Sequence, residues 1–145
     1  MHKTKFSESD LEISLFVVCD QAIISKENKL SIIGIFDQIY SDKFPFNYPK
    51  MSVVGVMAGK PNTEKVVKLE IKDPSNKTVF SSDFKITLGE NGKSNFISEF
   101  SNLPAALDGV YTIGLFVGDK KLGQTTFHII KTVSSQNDRK TKVIN

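Results

Sequence analysis

Any chemistry performed by this chain would have to come from one cysteine, two histidines and a scatter of carboxylates. Cys19 ends the apolar run Phe16-Val17-Val18-Cys19, where a thiol behaves as a small hydrophobe. A reactive thiolate needs an electropositive, accessible setting, and Asp20 beside it pushes the other way. His2 stands in a polar amino end, and His128 alternates away from Phe127 and Ile129, as an ordinary surface residue does. Asp20, Asp37, Asp42, Asp108 and Asp119 fall near the ends of expected strands. Carboxylates gathered from such loops can hold calcium through oxygen ligands. Each also suits a turn for purely local reasons, and no spaced calcium loop is present. Zinc has one cysteine and two distant histidines to draw on, which is too few. Gly89-Glu90-Asn91-Gly92-Lys93 lacks the spacing of a phosphate loop, and no nucleophile elbow occurs. The expectation is a non-enzyme with no catalytic residue, no cofactor and no metal.

One stretch stands apart. Tyr40 to Pro49 carries Tyr40, Phe44, Phe46 and Tyr48 with Pro45 and Pro49, outside any regular alternation. Prolines fix their own φ and bias the preceding residues, here Phe44 and Tyr48, toward extended backbone. Rings held in this way form a binding surface at little entropic cost. Alternatively they cap one open end of a core. Tyr40, Phe44, Phe46 and Tyr48 are therefore the candidate interaction residues.

The elements that would position them read as strands. Tyr111, Ile113, Leu115 and Val117 alternate on one arm, with Thr125, Phe127 and Ile129 on the next and Gly118-Asp119 between. This is the two-residue period of a strand, joined by ordinary turn chemistry. Ile13, Leu15, Val17 and Cys19 are expected on one face of a first strand, with Phe16 and Val18 on the other, and Gln21 to Lys29 as a loop or wide turn. Leu30 to Tyr40 is apolar on both sides of its middle, which suits a strand covered on both faces. Gly34 within it suggests a bulge or a close backbone approach. A strand from Met51 to Ala58 follows. Val67, Leu69 and Ile71 alternate with lysines and Glu70, and Asp73-Pro74-Ser75-Asn76-Lys77 reads as a tight turn. Phe80, Ser82, Phe84, Ile86 and Leu88 share the face of another strand; Phe96 and Phe100 keep one parity. Leu103 to Leu107 is expected to make one helical turn. About 7–9 short strands with no long amphipathic helix imply an all-β, two-sheet antiparallel sandwich.

Totals agree with one domain. A chain of 145 residues, 39% hydrophobic and 24% charged, can bury a core unaided. No run approaches the ~18 apolar residues of a membrane span. The amino end has no apolar signal segment, and a single cysteine gives no internal disulfide, so the cytoplasm is the expected location. The net charge of +3 invites a nucleic-acid reading, yet residues 11–132 hold 14 Lys or Arg against 13 Asp or Glu. The remaining surplus lies in Arg139, Lys140 and Lys142. Nucleic-acid binding needs a clustered basic face, and none is visible. The organisation expected is a flexible end over 1–10, a sandwich over 11–133 and a disordered basic tail over 134–145.

Cys19-Asp20, Lys29 to Ile39, Phe44-Pro45, Asp73-Pro74-Ser75-Asn76 and Gly109-Val110-Tyr111 occur in an order that resembles a widespread bacterial family of small proteins, a domain of unknown function. The resemblance covers nearly the whole chain except its ends. It implies a cytoplasmic, immunoglobulin-like β-sandwich and lends no activity and no functional residue. Asp108-Gly109-Val110-Tyr111 is also similar to the tyrosine corner of such sandwiches, with Ile113 where antibody domains place a cysteine. The function expected is a binding or assembly module that recognises another protein through a loop end or a sheet edge. The alternative is a small-ligand or carbohydrate binder.

Overall fold

The computed structural model describes residues 11–133; His2, the 1–10 end and the 134–145 tail of the sequence reading lie outside the described residues. Nine strands follow in order: β1 (Leu11–Ile24), β2 (Leu30–Ile35), β3 (Gln38–Ser41), β4 (Phe46–Gly59), β5 (Glu64–Lys72), β6 (Thr78–Thr87), β7 (Lys93–Ala105), β8 (Gly109–Val117) and β9 (Lys120–Lys131). One sheet has the order β2-β1-β4-β7, the other β3-β9-β8-β5-β6. All pairs are antiparallel except β3–β9. No helix among the described residues is long and apolar enough to cross a membrane.

The two sheets pack their apolar faces together. Met51, Val53 and Met57 of β4 meet Leu69 and Ile71 of β5, Tyr111, Ile113 and Leu115 of β8, and Phe127 and Ile129 of β9 in one buried cluster. The expected β8–β9 hairpin forms with Gly118-Asp119 as its turn. The Tyr111 hydroxyl donates to the Leu107 carbonyl at 2.7 Å, which is the tyrosine corner. Its ring stacks on Phe127 at 5.2 Å. The neighbours β1–β4–β7 and β5–β8–β9 reproduce the A–B–E and C–F–G pairings of an immunoglobulin-like sandwich. On the side where β6 faces β7, Phe80–Phe100 and Phe84–Phe96 close the gap at 4.7 and 5.1 Å. Gly55 lies beneath the Phe96 ring, where a Cβ would come within 2.0 Å of it.

Four local expectations are corrected. A bulge between Ile13 and Leu15 reverses the alternation of β1, so Ile13, Phe16 and Val18 face the main core while Leu15, Val17 and Cys19 do not. Gln21 to Ile24 is strand rather than loop. The Leu30–Tyr40 run is two strands, β2 and β3, at the edges of different sheets, and its middle is open to solvent. Leu103-Pro104-Ala105 is extended rather than helical. Asn102, at φ 56°, shifts parity there and turns Leu103 and Ala105 inward.

Candidate interaction surfaces

The aromatic stretch does not stay a loop. β3 ends at Ser41, the chain bends over Asp42 to Pro45, and β4 begins at Phe46. Phe44 and Phe46 meet edge to face at 5.3 Å, and Tyr48 meets Phe36 at 6.1 Å. All four rings are half-buried against the main core. Burial pushes the Tyr48 hydroxyl above its ordinary pKa, and the Asp20 charge adds to the shift. Phe44, Phe46 and Tyr48 thus cap one end of the sandwich. Tyr40 alone is presented, 60% exposed, with its hydroxyl donating to Gln38 Oε1 at 2.7 Å. The four candidate residues therefore do not form one surface, because an uncovered sandwich end draws apolar rings inward.

A different apolar surface lies on the β1–β2 hairpin. Past Cys19, β1 leaves β4 and pairs with β2 alone, through Gln21↔Ile33 and Ile23↔Ser31. Ala22, Leu30 and Ile32 pack with Cys19, Val54 and Ile97 into a second cluster, on the side of β4 opposite Val53 and the main core. The alternate residues then point to solvent. Ile23 and Ile33 share that face and are 51% and 54% exposed, and Ile35, beyond Gly34 and opposite Cys19, is 61% exposed beside them. Gly34, at φ 71°, lies against Asp20, whose carboxylate a Cβ would strike. The signal available for this surface was the unbroken Ile32-Ile33-Gly34-Ile35 run, which periodicity reads equally as a doubly covered strand.

Groups with chemical potential are dispersed. Cys19 is buried, and burial raises its thiol above the ordinary pKa, with Asp20 acting in the same direction; its Sγ donates weakly to the Gln21 carbonyl at 3.5 Å. His128 is exposed on β9 between Gln38 and Val110. Among the described residues no three His, Cys, Asp or Glu side chains gather in a group that could hold a metal ion. A depression of about 300 Å³ on the outer face of the five-stranded sheet is lined by Glu70, Lys72, Thr112, Phe116, Lys121 and Gln124. Lys68 Nζ lies 5.4 Å above the Phe116 ring, and Lys121 binds Gln124, so its polar groups partly satisfy one another.

A family model matches residues 14–130, most of the chain. The chain belongs to DUF6941, a family of unknown function. No curated protein sequence matches it. Among solved structures, it is similar to an alkylpurine DNA glycosylase, AlkC, from Pseudomonas fluorescens bound to DNA containing an abasic site analog. There the identity is 12% and the TM-score 0.53, over 86% of this chain and 31% of that one. A β-glucosidase from Listeria innocua in complex with glucose aligns at 8% identity and TM-score 0.51, over 86% of this chain and 16% of that one. This chain thus spans under a third of the first and about a sixth of the second. An immunoglobulin-like protein from Pseudomonas aeruginosa aligns over 86% of this chain and 99% of its own, at 13% identity and TM-score 0.47. For the first two, at such identities, the likeness is one of fold.

Proposed function

We propose that this chain is a non-enzymatic binding module that recognises another protein through the β1–β2 hairpin. The observation that carries the reading is the exposed apolar group Ile23, Ile33 and Ile35, three β-branched residues more than half exposed on one edge hairpin. Single exposed apolar residues are ordinary, but a contiguous group on a sheet edge is a place for a partner to dock. The hairpin is held from below by its own small core, so the surface is preformed. Nucleic acid and membrane are not the partners proposed, since residues 11–132 carry nearly balanced charge. Cys19, buried and unpaired, suits a reducing compartment, and the bacterial cytoplasm is the setting proposed.

The test compares three forms of the protein as baits. Wild type and Val66→Lys, altered at an exposed residue of the other sheet, should retain the same bound protein. Ile33→Lys should lose it while keeping the wild-type melting temperature. Equal retention by all three would contradict the reading.

A further inference from the structure

The sheet edges of this molecule are defended unequally. Among the described residues the edge strands are β2 and β7 in one sheet and β3 and β6 in the other. Unpaired edges invite pairing with another chain, and proteins blunt them with charges, proline, bulges or shortness. β6 carries Asp83 and Lys85, and β7 carries Lys93, Glu99 and Pro104. β3 is only 4 residues long. β2, Leu30-Ser31-Ile32-Ile33-Gly34-Ile35, is 6 residues long and has neither a charge nor a proline. Its free edge also runs through Phe36, whose N–H still donates to the Val18 carbonyl on the β1 side at 3.1 Å; at Asp37 the chain crosses to the other sheet, its carbonyl accepting from the His128 N–H of β9 at 2.8 Å.

We propose that this edge pairs antiparallel with the β2 edge of a second copy of this chain, about a two-fold axis at Ile33; this rests on the hairpin-surface reading above. Directly opposed residues in an antiparallel pair share a face. The isoleucine face of one copy must therefore continue into that of the other, which leaves two compact registers, centred on Ile32 or on Ile33. Centring on Ile32 sets Ile33 against Ser31 and Ile35 against Lys29. Centring on Ile33 sets Ile33 against itself and Ser31 against Ile35, and brings Lys29 towards the second copy's Asp37, one residue past the end of that edge. Lys29 and Asp37 are both exposed and stand 4 residues to either side of Ile33, so two-fold symmetry forms that charge pair twice. The strand thus supplies both halves of its own complement, in apolar contact at the axis and in charge at the two ends. A second copy meets these terms without any further partner.

The test is sedimentation velocity of the full chain over a range of concentrations. Wild type should pass from monomer to dimer as concentration rises. Ile33→Lys, which sets two like charges at the axis, should remain monomeric, and its melting temperature should match that of wild type at concentrations where both are monomeric. Lys29→Asp and Asp37→Lys should each weaken the dimer about ten-fold, since each turns two attractive pairs into repulsive ones. Mixed in equal amounts, those two variants should form a heterodimer as tight as wild type, because both of its charge pairs are opposite again. A wild-type chain that stays monomeric throughout, or a mixture that fails to associate, would overturn the proposal. If the monomeric chain still loses a bound protein only through Ile33→Lys, the hairpin surface survives and the second copy does not. A melting temperature for Ile33→Lys below that of wild type when both are monomeric would remove both.

Discussion

Tyr111, Ile113 and Leu115 on β8 have 0% exposure, whereas Ile33 and Ile35 on β2 are 54% and 61% exposed. Both strands are short, rich in apolar and β-branched residues, and interrupted by a glycine. Their difference lies in place. β8 sits between β9 and β5 with one face on the opposing sheet, while β2 has a strand on one side only. Side-chain type therefore makes a strand, but sheet order decides whether its apolar residues hold the fold or remain on show. The same residues are core in one position and surface in the other.

The contrast is broken most severely at Tyr111. Tyr111→Ala should cost about 3–5 kcal/mol, the range for truncating a large buried aromatic, read as a lower denaturation midpoint at unchanged slope. Tyr111→Phe keeps the stacked ring and removes only the bond to the Leu107 carbonyl, so about 0.5–1.5 kcal/mol is expected. Equal small losses for both would mean that β8 is not anchored by this residue.

Next comes the capped end. Phe46 is half-buried against Phe44 and the core, so Phe46→Ser should destabilise by about 1–3 kcal/mol, short of a full core truncation. A tolerated Phe46→Ser would return that stretch to the presented side of the comparison. Ile33→Ser sits at the other end of the scale. Measured where the protein is monomeric, it should change stability by less than about 0.5 kcal/mol, as a surface substitution does.

The smallest effect concerns acid. The Asp73 carboxylate accepts from Ser75 Oγ at 2.7 Å and from the Lys77 and Ser75 amides at 3.0 and 2.9 Å, in the β5–β6 turn. These bonds hold its carboxyl below the ordinary pKa, the Ser75 hydroxyl most of all. A depressed folded-state value stabilises above the unfolded-state pKa, and that contribution is lost as pH falls through the folded one. The gap in denaturation midpoint between wild type and Asp73→Asn should therefore close as the pH drops through and below the usual carboxylate range. A gap that widened on acidification would contradict the turn geometry.

Much of this was legible from residue order. The β8–β9 hairpin, the turn at Asp73, the corner at Tyr111 and the inward parity of Phe80, Phe84 and Ile86 all follow from local alternation and turn chemistry. What failed needed distant information. The bulge after Ile13 exchanges the faces of β1 because of its pairing with Met57 and Val56. The split of Leu30–Tyr40 reflects two different sheets, β1 claiming one half and β9 the other. Pro104 suggested a turn of helix, yet β4 pairs with it through Asn47, and an outermost strand tolerates proline. The aromatic stretch left two readings open for the same reason: Phe44, Phe46 and Tyr48 cover an open end that only the assembled sandwich possesses. Ile33 and Ile35 looked like core because nothing in an apolar run says which strand will be last in its sheet.

The distinction between centre and edge is tested most directly by residue-level amide hydrogen exchange at a concentration where the chain is monomeric. The account predicts that the amides of Tyr111, Ile113 and Leu115 on β8 exchange only through global unfolding. The slowest amides of β2, between Leu30 and Ile35, should exchange many times faster by local opening of the hairpin. Equal protection of β2 and β8 in the monomer would contradict it, because the β1–β2 hairpin would then be part of the cooperative core rather than a surface laid upon it.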